Sequence, residues 1–97
     1  MKKIENYLEE YKKLENIKTD MELSRIMKVG RSKIYEAKKG YAKSIGRKKY
    51  IIIAKRLGIH PMEIIATIEA EVEKDEEMKK LWIELANEKA KKCSGLH

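Results

Sequence analysis

Two helix signals separated by a tight turn, in the stretch Asp20–Gly40 (DMELSRIMKVGRSKIYEAKKG), constrain this chain more than anything else in it. Thr19 can cap the first helix, with Glu22 three residues on reaching back in the T-x-x-E capping-box pattern. Leu23, Ile26 and Met27 then fall on one face at i, i+3 and i+4. Val29 precedes Gly30, which can cap the next helix. Ile34 and Ala37 give that second helix a narrow inward stripe, and Gly40 supplies the left-handed residue that ends it. Arg31, Ser32 and Lys33 stand at its start.

The pattern resembles the helix-turn-helix of the Cro and repressor family of phage regulators, with Leu23, Met27, Val29 and Ile34 on the family's core positions. AKRLGI at Ala54–Ile59 resembles the family's fourth helix and its Gly ending, so the similarity covers roughly residues 4–70. Two positions depart from the family. Ser24 stands where a small Ala is usual, at a point where the two helices must approach closely. Lys28 stands where the turn usually has a left-handed Gly, and a non-Gly residue there costs about 1–2 kcal/mol.

The resemblance implies an all-α fold of five to six helices. A helix-turn-helix domain would span residues 1–73, and a C-terminal helix with a frayed tail, 74–97, would pack or dimerise. It also implies a site. A helix over 31–39 would lie in the major groove of duplex DNA, with Arg31, Ser32 and Glu36 facing the bases and Lys33 and Tyr35 at the flanks. Arg31 can pair with guanine O6 and N7, and Glu36 can accept from a cytosine amino group. Thr19, Lys28, Lys38, Lys39, Lys43, Arg47 and Lys48 would meet phosphates. Glu36 has an alternative as a surface partner of Lys33 or Lys39, and Tyr35 as half-buried packing. An ordinary helical hairpin in a small bundle is the alternative for the whole motif.

Charge placement agrees with nucleic acid. Residues 25–56 hold twelve Lys or Arg and one acid, Glu36, whereas 57–88 hold three basic residues and nine acids. A merely basic protein would spread its lysines; a positive middle centred on the reading helix is an electrostatic footprint for nucleic acid. A chain of 97 residues makes one domain, too small to enclose a substantial substrate cavity. One Pro, few Gly and frequent Glu, Lys, Leu, Ile and Ala independently favour helices. Cys93 is the only cysteine, so no intrachain disulfide is possible. MKKIENYLEEY lacks the apolar region of a signal peptide, and the run Tyr50–Ala54 is far too short to span a bilayer. The expected location is the cytoplasm of a bacterial host, at the nucleoid, with no membrane partner.

Elsewhere the chain reads as scaffold. Ile4, Tyr7, Leu8, Tyr11 and Leu14 repeat at steps of 3 and 4 in a first helix over 3–16. After Gly40, Ser44 and Gly46 form turns. Tyr50–Ile53 has strand propensity, but Ala54, Leu57 and the Gly58 stop continue a helical pattern. His60 caps the next helix, with Pro61 first, Glu63 third where its charge suits the dipole, and Ile64, Ile65, Ile68 and Val72 as its buried stripe. Asp75 can cap a last helix whose apolar face is Met78, Leu81, Trp82 and Leu85. That face is the expected homodimer interface, with Trp82 closing the monomer's own core against Ile64, Ile68 and Tyr7 as the alternative. Lys89, Lys91 and Lys92 suit the end of that helix, and Ser94–His97 is expected to fray.

The functional expectation is a sequence-specific transcriptional regulator, most simply a phage or prophage repressor. An antitoxin-type or autoregulatory protein would carry the same DNA module and hold a partner protein at its acidic C-terminal hairpin. An RNA-binding protein would want aromatic stacking platforms, but Tyr7 and Tyr11 fall on an apolar stripe. No nucleophile–base pair, metal-ligand cluster or phosphate loop stands out, so neither an enzyme nor a metal or other cofactor is expected.

Overall fold

The chain is built from α1 (Ile4–Leu14), α2 (Asp20–Met27), α3 (Arg31–Lys38), a 3₁₀ turn (Ala42–Ser44), α4 (Arg47–Leu57), α5 (Pro61–Val72) and α6 (Glu76–Gly95). The computed structural model describes residues 2–95, with side chains through residue 90, and among these there is no strand. The all-α expectation holds, and Tyr50–Ile53 is helical despite its β-branched run.

Four helices stop in the same way. Asn16, Lys28, Gly40 and Gly58 follow α1 to α4 with φ of 58°, 58°, 110° and 74°. Behind each, the next N–H reaches a carbonyl five residues back: Ile17 to Lys12 at 2.8 Å, Val29 to Ser24 at 3.1 Å, Tyr41 to Glu36 at 2.9 Å and Ile59 to Ala54 at 3.0 Å. This is the Schellman closure, in which the residue after the left-handed one usually packs back on the helix. Ile17, Val29 and Ile59 do so, joining or flanking the core. Tyr41 does not; it stands 69% exposed beside the end of α3. Lys28 takes the left-handed conformation expected of it, with ψ of 44°.

The core gathers Ile4, Leu8, Leu23, Ile34, Ile53 and Ile64, each essentially inaccessible, so α1 to α5 share one apolar centre. Burying such a side chain stabilises by about 1.5–3 kcal/mol. Inside it the Tyr7 hydroxyl donates to Glu63 Oε2 at 2.5 Å, tying α1 to the first turn of α5. Glu63 therefore does more than complement a dipole: it is buried and satisfied by a phenol.

Several sequence expectations need adjusting. Leu14 is 51% exposed, because α1 ends there and Ile17 takes the core place after the Asn16 turn. Ile26 is 53% exposed, since α2 turns Asp20, Leu23, Ser24 and Met27 inward instead. Glu22 accepts from the N–H of Lys18 at 2.7 Å, not from that of Thr19, while Thr19 Oγ1 accepts from Glu22 N–H at 3.1 Å as expected. Ile65 and Val72 are half-buried.

Asp75 caps α6 through the Glu77 N–H at 3.1 Å, and the short link 73–75 lets α6 pack back along α5. The backbone of α6 continues through Gly95, past the expected fraying point at Ser94. Leu96, His97 and the side chains of Lys91, Lys92 and Cys93 lie outside the described residues. No described helix is long and apolar enough to cross a membrane.

Candidate nucleic-acid interface

α3 is divided lengthwise. Ile34 and Ala37 are buried, while Arg31, Ser32, Lys33, Tyr35 and Glu36 are exposed. Three polar anchors fix its position. The Ser24 hydroxyl donates to Val29 O at 2.6 Å, bracing the turn into α3. This gives Ser24 a role in the turn. The Ser44 hydroxyl donates to Lys33 O at 3.1 Å, holding the 3₁₀ turn beside α3. Ala42 and Ile45 are buried on either side of that anchor.

Lys38 is the third anchor, and its role corrects the sequence reading. Its ammonium donates to Glu9 Oε2 at 2.6 Å and to both Asp20 oxygens at 3.0 Å, joining α1, α2 and α3. Lys12 reaches the same two carboxylates, at 3.4 and 2.8 Å. The Lys38 side chain is 16% exposed, so it is not presented to phosphates. Its position four residues after Ile34 places it on the inward face of the helix. Burial alone would lower its pKa, but the bonds to Glu9 and Asp20 outweigh this and raise it. The Lys38 bond holds Glu9 below the usual carboxylate range against burial. At Asp20 burial is the largest single influence and pushes upward, yet the combined bonds and charges of Lys12 and Lys38 prevail and lower it.

Among the described residues Arg31, Lys33, Lys28 and Lys48 make no ion pair and are exposed. Glu36 is likewise exposed and makes no ion pair with Lys33 or Lys39, so the surface-pair alternative is not realised. Tyr35 is 63% exposed and not packing, with Lys39 Nζ 5.4 Å from its ring centroid. Arg31, Ser32 and Tyr35 share a shallow cleft with Asp20. Lys43 and Arg47 are exposed but lean on Glu69, at 3.4 and 4.0 Å. Thr19 sits at the start of α2 with its hydroxyl oxygen engaged as a cap.

Tyr41 escaped the sequence reading. It lines a cleft with Glu36, Lys43 and Ser44, next to the outer face of α3. Its signal was its place directly after the Gly40 stop, where an apolar residue would normally fold back.

The C-terminal residues split into two sets. Met78 and Leu81 are exposed, at 37% and 52%, while Trp82 and Leu85 are half-buried. Trp82 Nε1–H donates to Glu73 Oε1 at 3.4 Å, so the indole is engaged within its own chain. His60 Nδ1 accepts from Met62 N–H at 3.0 Å, as a cap should. Among the described residues no cluster of His, Cys, Asp and Glu is arranged to hold a metal ion. Comparison with family models, characterised proteins and solved structures finds no match for the chain.

Proposed function

We propose that this protein is a sequence-specific duplex-DNA-binding regulator of transcription that inserts α3 into the major groove. The observation that carries the reading is the outer face of α3: Arg31, Ser32, Lys33, Tyr35 and Glu36 stand exposed on a short helix held from behind by three polar anchors. A major groove about 12 Å wide accepts such a helix, and rigid seating is what base discrimination requires. Arg31 reads guanine, Glu36 accepts from cytosine, and Ser32 fills the space between them. An acid set among cations is disfavoured against phosphates, which leaves the base edges as its place. Lys28, Lys39, Lys43, Arg47, Lys48 and Thr19 serve the phosphates; Tyr41 extends the face.

The resemblance to Cro and repressor regulators supports the same docking and a repressor's mode of action, in a bacterial or prophage setting. One such helix reads only a few base pairs, so the operator-bound form is a homodimer spanning two half-sites about 34–36 Å apart. Met78 and Leu81 are the open apolar residues for that contact. A second reading gives the same surface to a partner protein, as in an antitoxin, because Asp75, Glu76 and Glu77 stand exposed beside it.

Selection of bound sequences from random duplexes, combined with salt titration, tests the proposal. A defined motif and a log–log salt slope several units negative are expected. Arg31→Ala should cost about 1–3 kcal/mol and relax one base position, whereas Lys48→Ala should weaken all sequences alike. Salt-independent binding, or a motif unchanged by Arg31→Ala, overturns the docking.

A further inference from the structure

A cavity of about 250 Å³ opens between the 3₁₀ turn, the start of α4 and one face of α5. Its lining joins the buried Tyr50 and Ile68 and the half-buried Ile65 to the exposed Lys43 and Arg47 and to Glu69, which form its outer rim. One carboxylate is set against two cations there. Lys43 Nζ lies 3.4 Å from Glu69 Oε1, and an Arg47 guanidinium nitrogen lies 4.0 Å from Oε2. Charge-assisted bonds close to about 2.7–2.9 Å when fully formed, so both pairs are loose. The rim therefore keeps a surplus positive charge and flexible donors.

The start of α4 adds to that surplus. Gly46 caps it with no side-chain hydrogen bond, and Gly46 and Arg47 both line the cavity, so the positive pole of the helix lies beside it. Glu69 stands within reach of both cations at the cavity without closing on either.

We infer that this cavity binds a small organic anion, a single carboxylate or phosphate head on an apolar body. The head takes the place of Glu69 against Lys43 and Arg47, and the body covers Ile65, Ile68 and the Tyr50 ring. A volume below the roughly 300–1,000 Å³ of drug-sized pockets limits the ligand to the size of a small metabolite. The regulatory consequence rests on the DNA-binding proposal: a bound anion neutralises two phosphate contacts and releases the operator. Binding of the anion does not depend on that proposal.

The test is titration of the isotope-labelled full chain with benzoate and phenyl phosphate, read by amide resonances, with benzyl alcohol and inorganic phosphate as controls. Saturable shifts are expected at Gly46, Arg47, Ile65 and Glu69 for at least one of the two organic anions. Each control should bind about tenfold more weakly or worse, because each lacks one half of the recognition. Arg47→Met, at an exposed position, should abolish the shifts without unfolding the protein; Glu69→Gln should strengthen them. Absence of saturable shifts, equal binding of either control, shifts elsewhere, or persistence in Arg47→Met overturns the site. In a second arm, the bound anion should raise the DNA dissociation constant and make the salt slope shallower by about two units. DNA binding without anion binding defeats this inference alone. Anion binding without any DNA binding defeats the functional proposal alone. An anion that binds without changing DNA affinity removes the regulatory role.

Discussion

Replacing Lys38 by Met separates a structural cation from a phosphate contact. Methionine keeps most of the apolar stem and removes the ammonium that joins Glu9 and Asp20. Breaking a fully buried ion pair costs about 3–5 kcal/mol, and an exposed one about 0–1. Here Lys38 is 16% exposed, but Glu9 and Asp20 are 46% and 38% exposed, so solvent screens the carboxylate side. Lys12 also remains against both acids. The expected loss is therefore intermediate, about 1–2 kcal/mol, which at about 4–8 °C per kcal/mol lowers the melting temperature by roughly 5–15 °C. The pH profile carries a second signature. Glu9 and Asp20 have folded pKa values below their unfolded ones, so their contribution is present above the ordinary carboxylate pKa and fades as pH falls through the lowered values. The raised Lys38 pKa contributes fully below the ordinary lysine value and is lost only at strongly alkaline pH. Wild type and Lys38→Met should thus differ most near neutrality and converge in acid. Thermal melts across pH, beside DNA titrations well below the melting range, measure both properties. A variant that melts with wild type yet loses DNA affinity would refute the scaffold assignment and restore Lys38 to the phosphate contacts.

Other substitutions probe the turn and the association. Lys28→Gly should stabilise by up to about 1 kcal/mol, because glycine relieves the left-handed strain at φ 58° while raising unfolded-chain entropy; a lower melting temperature contradicts this. Ser24→Ala should cost about 0.5–1.5 kcal/mol through the lost bond to Val29 O, and denaturant midpoints matching wild type would leave the serine without a role in the turn. Leu81→Glu should shift a wild-type dimer to monomer in light scattering and weaken binding to paired half-sites without lowering the melting temperature of the monomer fold; a wild-type monomer that binds single and paired half-sites alike excludes the dimer. Trp82→Ala should cost folding stability as well, since that indole is engaged with Glu73 and half-buried.

Local chemistry was enough to read the helices and most of their ends. Asn16 apart, the left-handed stops at Lys28, Gly40 and Gly58, the Thr19, His60 and Asp75 caps and the 3.6-residue stripes all arise from interactions within a few residues, which a sequence displays directly. Part of the outer face of α3 was legible for the same reason: once Ile34 and Ala37 point inward, Ser32, Tyr35 and Glu36 must point away, while Arg31 and Lys33 flank the inward stripe and are exposed in the fold. Lys38, expected at the phosphates, stands four residues after Ile34 at the edge of the inward stripe, a position its charge alone does not suggest. Only the tertiary fold supplies the two carboxylates, from α1 and α2, that make an inward lysine tolerable. The fold likewise exposes Leu14 and Ile26, buries Glu63 against Tyr7 and leaves Tyr41 beside Glu36. Each of these depends on what a distant segment brings to meet the residue. Pairings such as Lys38 with Glu9, or Lys43 and Arg47 with Glu69, have no local signal, because these partners lie on different elements and meet only through packing.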